Sequence, residues 1–302
     1  MPEFPRLTIV TPSFNQAIYL EQTICSVLDQ AYPNLEYIIV DGGSSDDSVE
    51  LIKRYEKHLA WWVSEPDRGQ AEAINKGMAR ATGEFTAWIN SDDYYLPGAF
   101  EQAVKSLQEW KDAGLVFGDV QAVNAIGKPI KLLQYGHWGL AELMSFHIIG
   151  QPGVFMRRSV FEQAGGVDEQ YHYMLDHQLW LRIASRAQMV YVPETWAAAR
   201  YHNQAKNIAQ PVGFGREAYQ VVRWMENAPE FAHAFSGIRR RVWAGVHRYN
   251  GWYLSEGGQP WPALQAYWKS LISHPGPAIK DWKRIAATVL MLAGIRLRGK
   301  RE

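Results

Sequence analysis

The chain has 302 residues, and its 31 lysines and arginines balance its 31 aspartates and glutamates, so no global charge draws it to nucleic acid. Hydrophobic residues make up 47% of it, enough for a large core in one or two domains. The single cysteine, Cys25, excludes an internal disulfide and points to a reducing, cytosolic setting.

Met1-Pro2-Glu3-Phe4-Pro5 carries no secretory apolar region and is expected to lead straight into the first strand. Residues 7–10 form that strand, ended by the turn Thr11-Pro12-Ser13-Phe14-Asn15. Leu20, Ile24, Val27 and Leu28 recur at helical spacing and predict a helix over residues 17–30. A second buried-type strand, residues 37–40, ends on Asp41-Gly42-Gly43-Ser44-Ser45-Asp46-Asp47. Ser44 or Ser45 is expected to cap the helix carrying Val49, Ile52 and Tyr55, with Asp46 and Asp47 structural in its first turn. Strand, helix, strand, helix predicts a parallel sheet.

Residues 84–89 read as a further strand, followed by Asn90-Ser91-Asp92-Asp93 and then by Pro97, which suits a helix start. Adjacent carboxylates at the carboxyl end of such a strand stand where open α/β folds bind ligands. They suit a hard divalent cation that masks a nucleotide diphosphate, and equally an acidic turn capping the next helix. Residues 116–120 predict another strand, ending in a Gly118-Asp119 turn, and residues 148–158 enter a strand and a helix start. No run of about 18 apolar residues offers a membrane span.

Four segments in order resemble the family 2 glycosyltransferases. They are Thr8-Ile9-Val10-Thr11-Pro12-Ser13-Phe14-Asn15, then Val40-Asp41-Gly42-Gly43-Ser44-Ser45-Asp46, then Arg68-Gly69-Gln70-Ala71-Glu72-Ala73-Ile74-Asn75-Lys76-Gly77, then Asn90-Ser91-Asp92-Asp93. The resemblance spans residues 6–205. It implies a GT-A fold, a mostly parallel Rossmann-like α/β sheet flanked by helices, over residues 1–207, with a donor half to about residue 115 and an acceptor half after it. It also implies a nucleotide-sugar donor, by family habit a UDP-sugar, inversion at the anomeric carbon, and Mg²⁺ or Mn²⁺ as cofactor.

The resemblance gives roles to single residues. Asp41 matches the position that hydrogen-bonds the nucleobase, Thr11 and Pro12 the backbone beneath the nucleotide, and Arg68 a segment near the donor. Asp93 matches the metal ligand and Asp92 the ribose or sugar edge; Ser91 stands where a fuller motif has a first carboxylate. Asp176, before Leu179-Trp180-Leu181-Arg182, matches the general base, although a helix-capping aspartate fits the same place. Leu175 stands where many relatives have a second acid. His202 matches a loop histidine that can ligate the metal, with Arg200 or Lys206 near the diphosphate, and imidazole suits Mn²⁺ better than Mg²⁺. Gln151, Pro152 and His177 fall on the acceptor side, where His177 is also read as a packing residue. Asp119 reads either as a reach to the donor sugar or as a turn aspartate.

Residues 208–302 read as helical, with apolar spacings over 214–227, 231–255 and 261–274, and one stretch resembles a single tetratricopeptide hairpin. Trp282, Ile285, Ala286, Val289, Leu290, Leu292 and Ile295 form an apolar face flanked by Lys283, Arg284, Arg296, Arg298, Lys300 and Arg301. That face reads either as a docked terminal helix or as an interfacial helix contacting the inner face of the cell membrane, which would suit a lipid-linked saccharide acceptor. The aromatic helices could also form a homodimer surface. Two other readings stand beside the transferase. A sugar-1-phosphate nucleotidyltransferase would need a basic glycine-rich loop that residues 11–15 lack. A non-catalytic scaffold recruiting partners to a membrane would be indifferent to loss of Asp93.

Overall fold

The structure, a computed structural model, describes residues 4–295. The chain forms two compact units, Met1–His137 with Ile149–Arg200, and Trp138–Ile148 with Tyr201–Glu302. The elements run in chain order as β1 (Leu7–Ser13), α1 (Ala17–Leu28), β2 (Leu35–Asp41), α2 (Ser48–Tyr55), β3 (Trp61–Ser64), α3 (Gln70–Met78), β4 (Phe85–Trp88), β5 (Tyr94–Tyr95) and α4 (Ala99–Glu109). Then come β6 (Ala113–Asn124), β7 (Pro129–Leu133), α5 (Leu140–Met144), β8 (Val154–Arg157), α6 (Arg158–Gln163), α7 (Leu175–Ala184) and β9 (Gln188–Tyr201). The rest is helical: α8 (Lys206–Ala209), α9 (Pro211–Asn227), α10 (Ala232–Glu256), α11 (Pro260–Ser273), α12 (Pro275–Lys280) and α13 (Trp282–Leu292).

The first unit is built on a nine-stranded mixed sheet ordered β3-β2-β1-β4-β8-β6-β9-β5, with β7 beside β6. The pairs β1–β2, β1–β4 and β2–β3 are parallel, while β4–β8, β6–β8 and β5–β9 are antiparallel. Every residue of β1 is buried, as expected of a parallel strand covered by helices on both faces. Helix α1 buries Leu20, Ile24 and Val27 of the predicted stripe together with Thr23, while Leu28 is half-buried. Phe100, Phe155, Tyr95 and Trp196 pack ring to ring within the core, with centroids 4.8–5.8 Å apart.

Three local expectations change. β1 runs on to Ser13 and includes Pro12, because β4 pairs only with Leu7–Val10 and the missing N–H of Pro12 falls beyond that partner. Residues 118–119 are strand interior, not a turn: an added Cβ at Gly118 would lie 2.6 Å from the Glu194 carbonyl oxygen and the Trp196 ring, so the glycine permits close approach of β9. Neither Ser44 nor Ser45 caps α2, which starts at Ser48. Instead the Ser44 hydroxyl accepts the Asn15 N–H at 2.8 Å and Asp46 accepts the Ala17 N–H at 3.0 Å, fastening this loop to the start of α1.

In the second unit α10 packs against both α9 and α11. Ser270 donates to the Ala244 carbonyl at 2.7 Å, and Phe214 stacks on Tyr253 at 4.6 Å. Arg248 binds the Phe146 carbonyl at 2.9 Å and Asp281 at 3.1 Å, joining the α5 segment and α12–α13 to α10. The likeness of α10–α11 to a tetratricopeptide unit rests on the sequence alone. Among the described residues no helix is long and apolar enough to cross a membrane.

Candidate active site

From β1 the chain builds β2 and β3 on one side and then returns to place β4 on the other. The crevice outside the carboxyl ends of β1 and β4 is therefore the switch point at which open α/β sheets bind ligands. Asn90-Ser91-Asp92-Asp93 occupies it, and the loop is fixed from three sides. Thr23 of α1 donates to the carbonyls of Ser91 and Asp93 at 3.0 and 2.6 Å. Gln70 of α3 donates to Asn90 Oδ1 at 2.6 Å. Arg200 of β9 gives its backbone N–H to Asp93 Oδ1 at 2.8 Å and its Nε to the Asp92 carbonyl at 2.9 Å.

The Arg200 guanidinium then reaches the Ala125 carbonyl at 2.9 Å and Gln22 Oε1 at 2.6 Å, between the rings of Tyr19 and Tyr94. The residue is buried, and its donors are taken up by protein oxygens. Arg200 is thus a buckle behind the Asp92–Asp93 loop, not a group facing a diphosphate. Lys206 lies in α8 of the second unit.

Asp93 is buried, with its second oxygen only 3.4 Å from Asn90 Nδ2. Burial first, and the neighbouring Asp92 second, push its carboxyl well above the usual carboxylate range. An added cation would reverse that penalty. Among the described residues no three His, Cys, Asp or Glu side chains converge on one point. Mg²⁺ and Mn²⁺ take many of their ligands from phosphate and water, so the carboxylate pair fits a cation that arrives with a diphosphate. His202 is buried and belongs to the second unit.

The ends of β1, β2 and β3 align Ser13, Asp41 and Ser64 in register. Asp41 is fully buried and accepts four hydrogen bonds, from Gly43 N–H, Ser44 N–H, Ser44 Oγ and Ser64 Oγ at 2.6–3.1 Å. Its carboxylate anchors its own turn and turns no oxygen toward solvent, which differs from the nucleobase role the resemblance gave it. Thr11 is likewise turned inward, its hydroxyl 3.0 Å from that of Tyr37, and Pro12 is buried beside it. Sequence reading passed over Asp67. A Cβ on Gly42 would lie 2.7 Å from Asp67 Oδ2, so the half-buried Asp67 carboxylate fills the space that a side chain at position 42 would take. Asp67 Oδ1 accepts the Gly69 N–H at 2.8 Å. The signal was the glycine following Asp41. The buried Ser13 hydroxyl, at the end of β1, has no hydrogen-bond partner among the described residues.

On the other flank Gln151 donates to the Trp88 carbonyl at 2.7 Å, while its buried Oε1 has no partner among the described residues. Trp180 of α7 stacks on Trp88 at 5.2 Å, which seats α7 at the end of β4. Asp176 is the second residue of α7, half-buried, and its Oδ1 accepts the His177 N–H at 2.7 Å. Met174, not Asp176, holds the N-cap position. The His177 ring is buried, in keeping with packing. Arg68 pairs with Glu72 at 2.8 Å and Glu169 at 2.7 Å beside a pocket of about 340 Å³ that also reaches His172. It links the β3–α3 loop to the segment before α7. Asp119 accepts from Tyr135 N–H at 2.9 Å and Tyr191 hydroxyl at 3.0 Å, a structural role inside β6.

A mixed sheet whose parallel half carries paired carboxylates at its switch point is an α/β fold of the GT-A type. The profile of Glycosyl transferase family 2 matches residues 8–163, more than half of the chain, and the chain belongs to that family. An uncharacterized glycosyltransferase of Mycobacterium tuberculosis is 29% identical over 191 residues, covering 61% of this chain and 71% of the relative. TuaG of Bacillus subtilis, a glycosyltransferase named for teichuronic acid biosynthesis, is 36% identical over 110 residues, or 35% of this chain and 43% of that one. Among solved structures, S. aureus TarS 1–349 in complex with UDP superposes with a TM-score of 0.65 at 17% identity, over 97% of this chain and 93% of that one. The mannosyltransferase PcManGT from Pyrobaculum calidifontis, in complex with GDP-Man and Mn²⁺, gives 0.64 at 21% identity, over 96% and 81%. These likenesses show the fold.

Proposed function

We propose that this glycosyltransferase moves a sugar, with inversion, from a UDP-sugar to a hydroxyl of a saccharide or lipid-linked saccharide acceptor, in assembly of a bacterial surface polysaccharide. The observation that carries the reading is the Asp92–Asp93 pair fastened at the β1/β4 switch point. The UDP complex of TarS and the naming of TuaG support the donor and the pathway class. Peripheral contact with the inner face of the cell membrane, and a homodimer, belong to the same reading.

In this reading the diphosphate lies over the ends of β1 and β4, and the nucleoside over β2 and β3, where Asp67 supplies the accessible carboxylate that Asp41 does not. Asp93 and Asp92 would hold Mn²⁺ or Mg²⁺. When bound, that ion supplies Lewis-acid stabilisation of the departing diphosphate. Asp176 takes the proton of the acceptor hydroxyl as its oxygen forms a bond to the anomeric carbon. The bond from that carbon to the diphosphate breaks on the opposite face, releasing the nucleoside diphosphate. Proton removal here is worth about 10²–10⁴-fold in rate.

Thermal unfolding with UDP, GDP and dTDP, each with Mn²⁺ and with chelator, tests the donor site. UDP at about 100 times its dissociation constant is expected to stabilise the protein by about 2.7 kcal/mol, and only with the ion present. A preference for GDP or dTDP would reassign the donor, and no shift with any nucleotide would favour the scaffold reading. Gly42→Ala tests the part of Asp67. Overpacking of this kind costs about 1–3 kcal/mol and would displace the Asp67 carboxylate. Donor KM should rise with kcat little changed; an unaltered KM would remove Asp67 from the donor site.

A further inference from the structure

We infer that the exposed aromatic and basic surface of α11, α12 and α13 is a docking surface for an anionic lipid bilayer. Helix α11 turns Ala263, Ala266, Tyr267 and Ser270 inward. Its opposite side exposes Trp261, Trp268 and Ile272, which at intervals of seven and four residues lie on one stripe. Helix α12 exposes Ile279, and α13 exposes Trp282 and Val289, again seven residues apart. The three tryptophans are 61%, 64% and 62% exposed, an unusual display for so large an apolar side chain.

Charge selects the occupant. From Pro260 to Ile295 the sequence has one acid, Asp281, and it is bound by Arg248 at 3.1 Å and Arg284 at 3.2 Å. The exposed cations among the tryptophans are lysines: Lys269, Lys280 and Lys283. Arg284 is half-buried and packs on the Trp252 ring, 4.1 Å from its centroid. Protein interfaces favour tryptophan and arginine but are poor in lysine. Tryptophan at the headgroup level, with long lysines reaching the phosphates, is the pattern of a bilayer surface. A second copy would bring the same lysines against themselves, as an isologous interface requires. Arg296, Arg298, Lys300 and Arg301, counted in the sequence as basic flanks, lie outside the described residues.

The surface takes no part in the donor chemistry, so it is tested on the whole chain without donor. Co-sedimentation with phosphatidylglycerol-containing vesicles is compared with pure phosphatidylcholine vesicles, at low and high salt. Binding to the anionic vesicles should be stronger by about tenfold or more and should weaken with salt. The Trp261→Ser/Trp268→Ser/Trp282→Ser variant should lose that binding. Lys269→Gln/Lys280→Gln/Lys283→Gln, which keeps the tryptophans, should lose the preference for anionic lipid, with thermal midpoints of both variants checking the fold. Wild-type tryptophan fluorescence should shift to the blue on vesicles. Equal binding to both vesicle types, or folded variants that bind as the wild type does, would overturn the proposal. So would a wild-type dimer, indifferent to vesicles, that the tryptophan variant dissolves.

Discussion

Asp176→Asn is expected to lower kcat by about 10²–10⁴-fold with little change in donor KM. Asparagine keeps an oxygen where Asp176 Oδ1 accepts the His177 N–H, so the first turn of α7 keeps its hydrogen bond. The Trp180–Trp88 stack that seats the helix is untouched, and stability should stay within about 0.5 kcal/mol of wild type. What the substitution removes is a group able to take a proton at neutral pH. Steady-state kinetics with the donor identified by thermal shift, on protein whose unfolding midpoint matches wild type, make the measurement. Near-normal turnover would move the base elsewhere and leave Asp176 as a helix-start residue.

Asp93→Asn should have the second large effect, and its two parts run in opposite directions. The stabilisation of about 2.7 kcal/mol by saturating nucleotide and ion should disappear. The ligand-free variant should be at least as stable as wild type at neutral pH. Burial and the adjacent Asp92 hold the Asp93 carboxyl well above its usual range, so the folded protein carries that charge at a cost. The amide keeps the shape and can still accept the Arg200 N–H. Calorimetry with and without ligand reads both effects. A variant that keeps the ligand-induced shift would remove Asp93 from the donor site; one that loses stability without ligand would give it a structural part.

The parallel half of the sheet was legible because strands buried on both faces are written as continuous apolar runs, and β1, β2 and β4 are such runs. The position of Asp92–Asp93 followed from the same reading, since a strand end before a helix start fixes where the loop must lie. What escaped was decided by partners distant in sequence. Pro12 remains in β1 because β4 stops pairing at Val10, and residues 118–119 remain in β6 because β9 presses on Gly118. The resemblance makes Asp41 and Arg200 ligand-facing. In the structure their hydrogen bonds go to turns and strands that the sequence does not place beside them. Asp67 escaped for the complementary reason, since its place is set by an atom that Gly42 lacks.

The Arg200 buckle ties three stretches of chain into one part: Gln22 on α1, the Asp92 carbonyl after β4, and the Ala125 carbonyl in the β6–β7 turn. None of these is near another in sequence, yet none can shift without loosening the others. The carboxylate loop therefore has a fixed address before any substrate arrives, which lowers the reorganisation that chemistry there would require. It also means that the four residues of the motif are not portable. Grafted into another sheet they would keep their charge and lose their bearing.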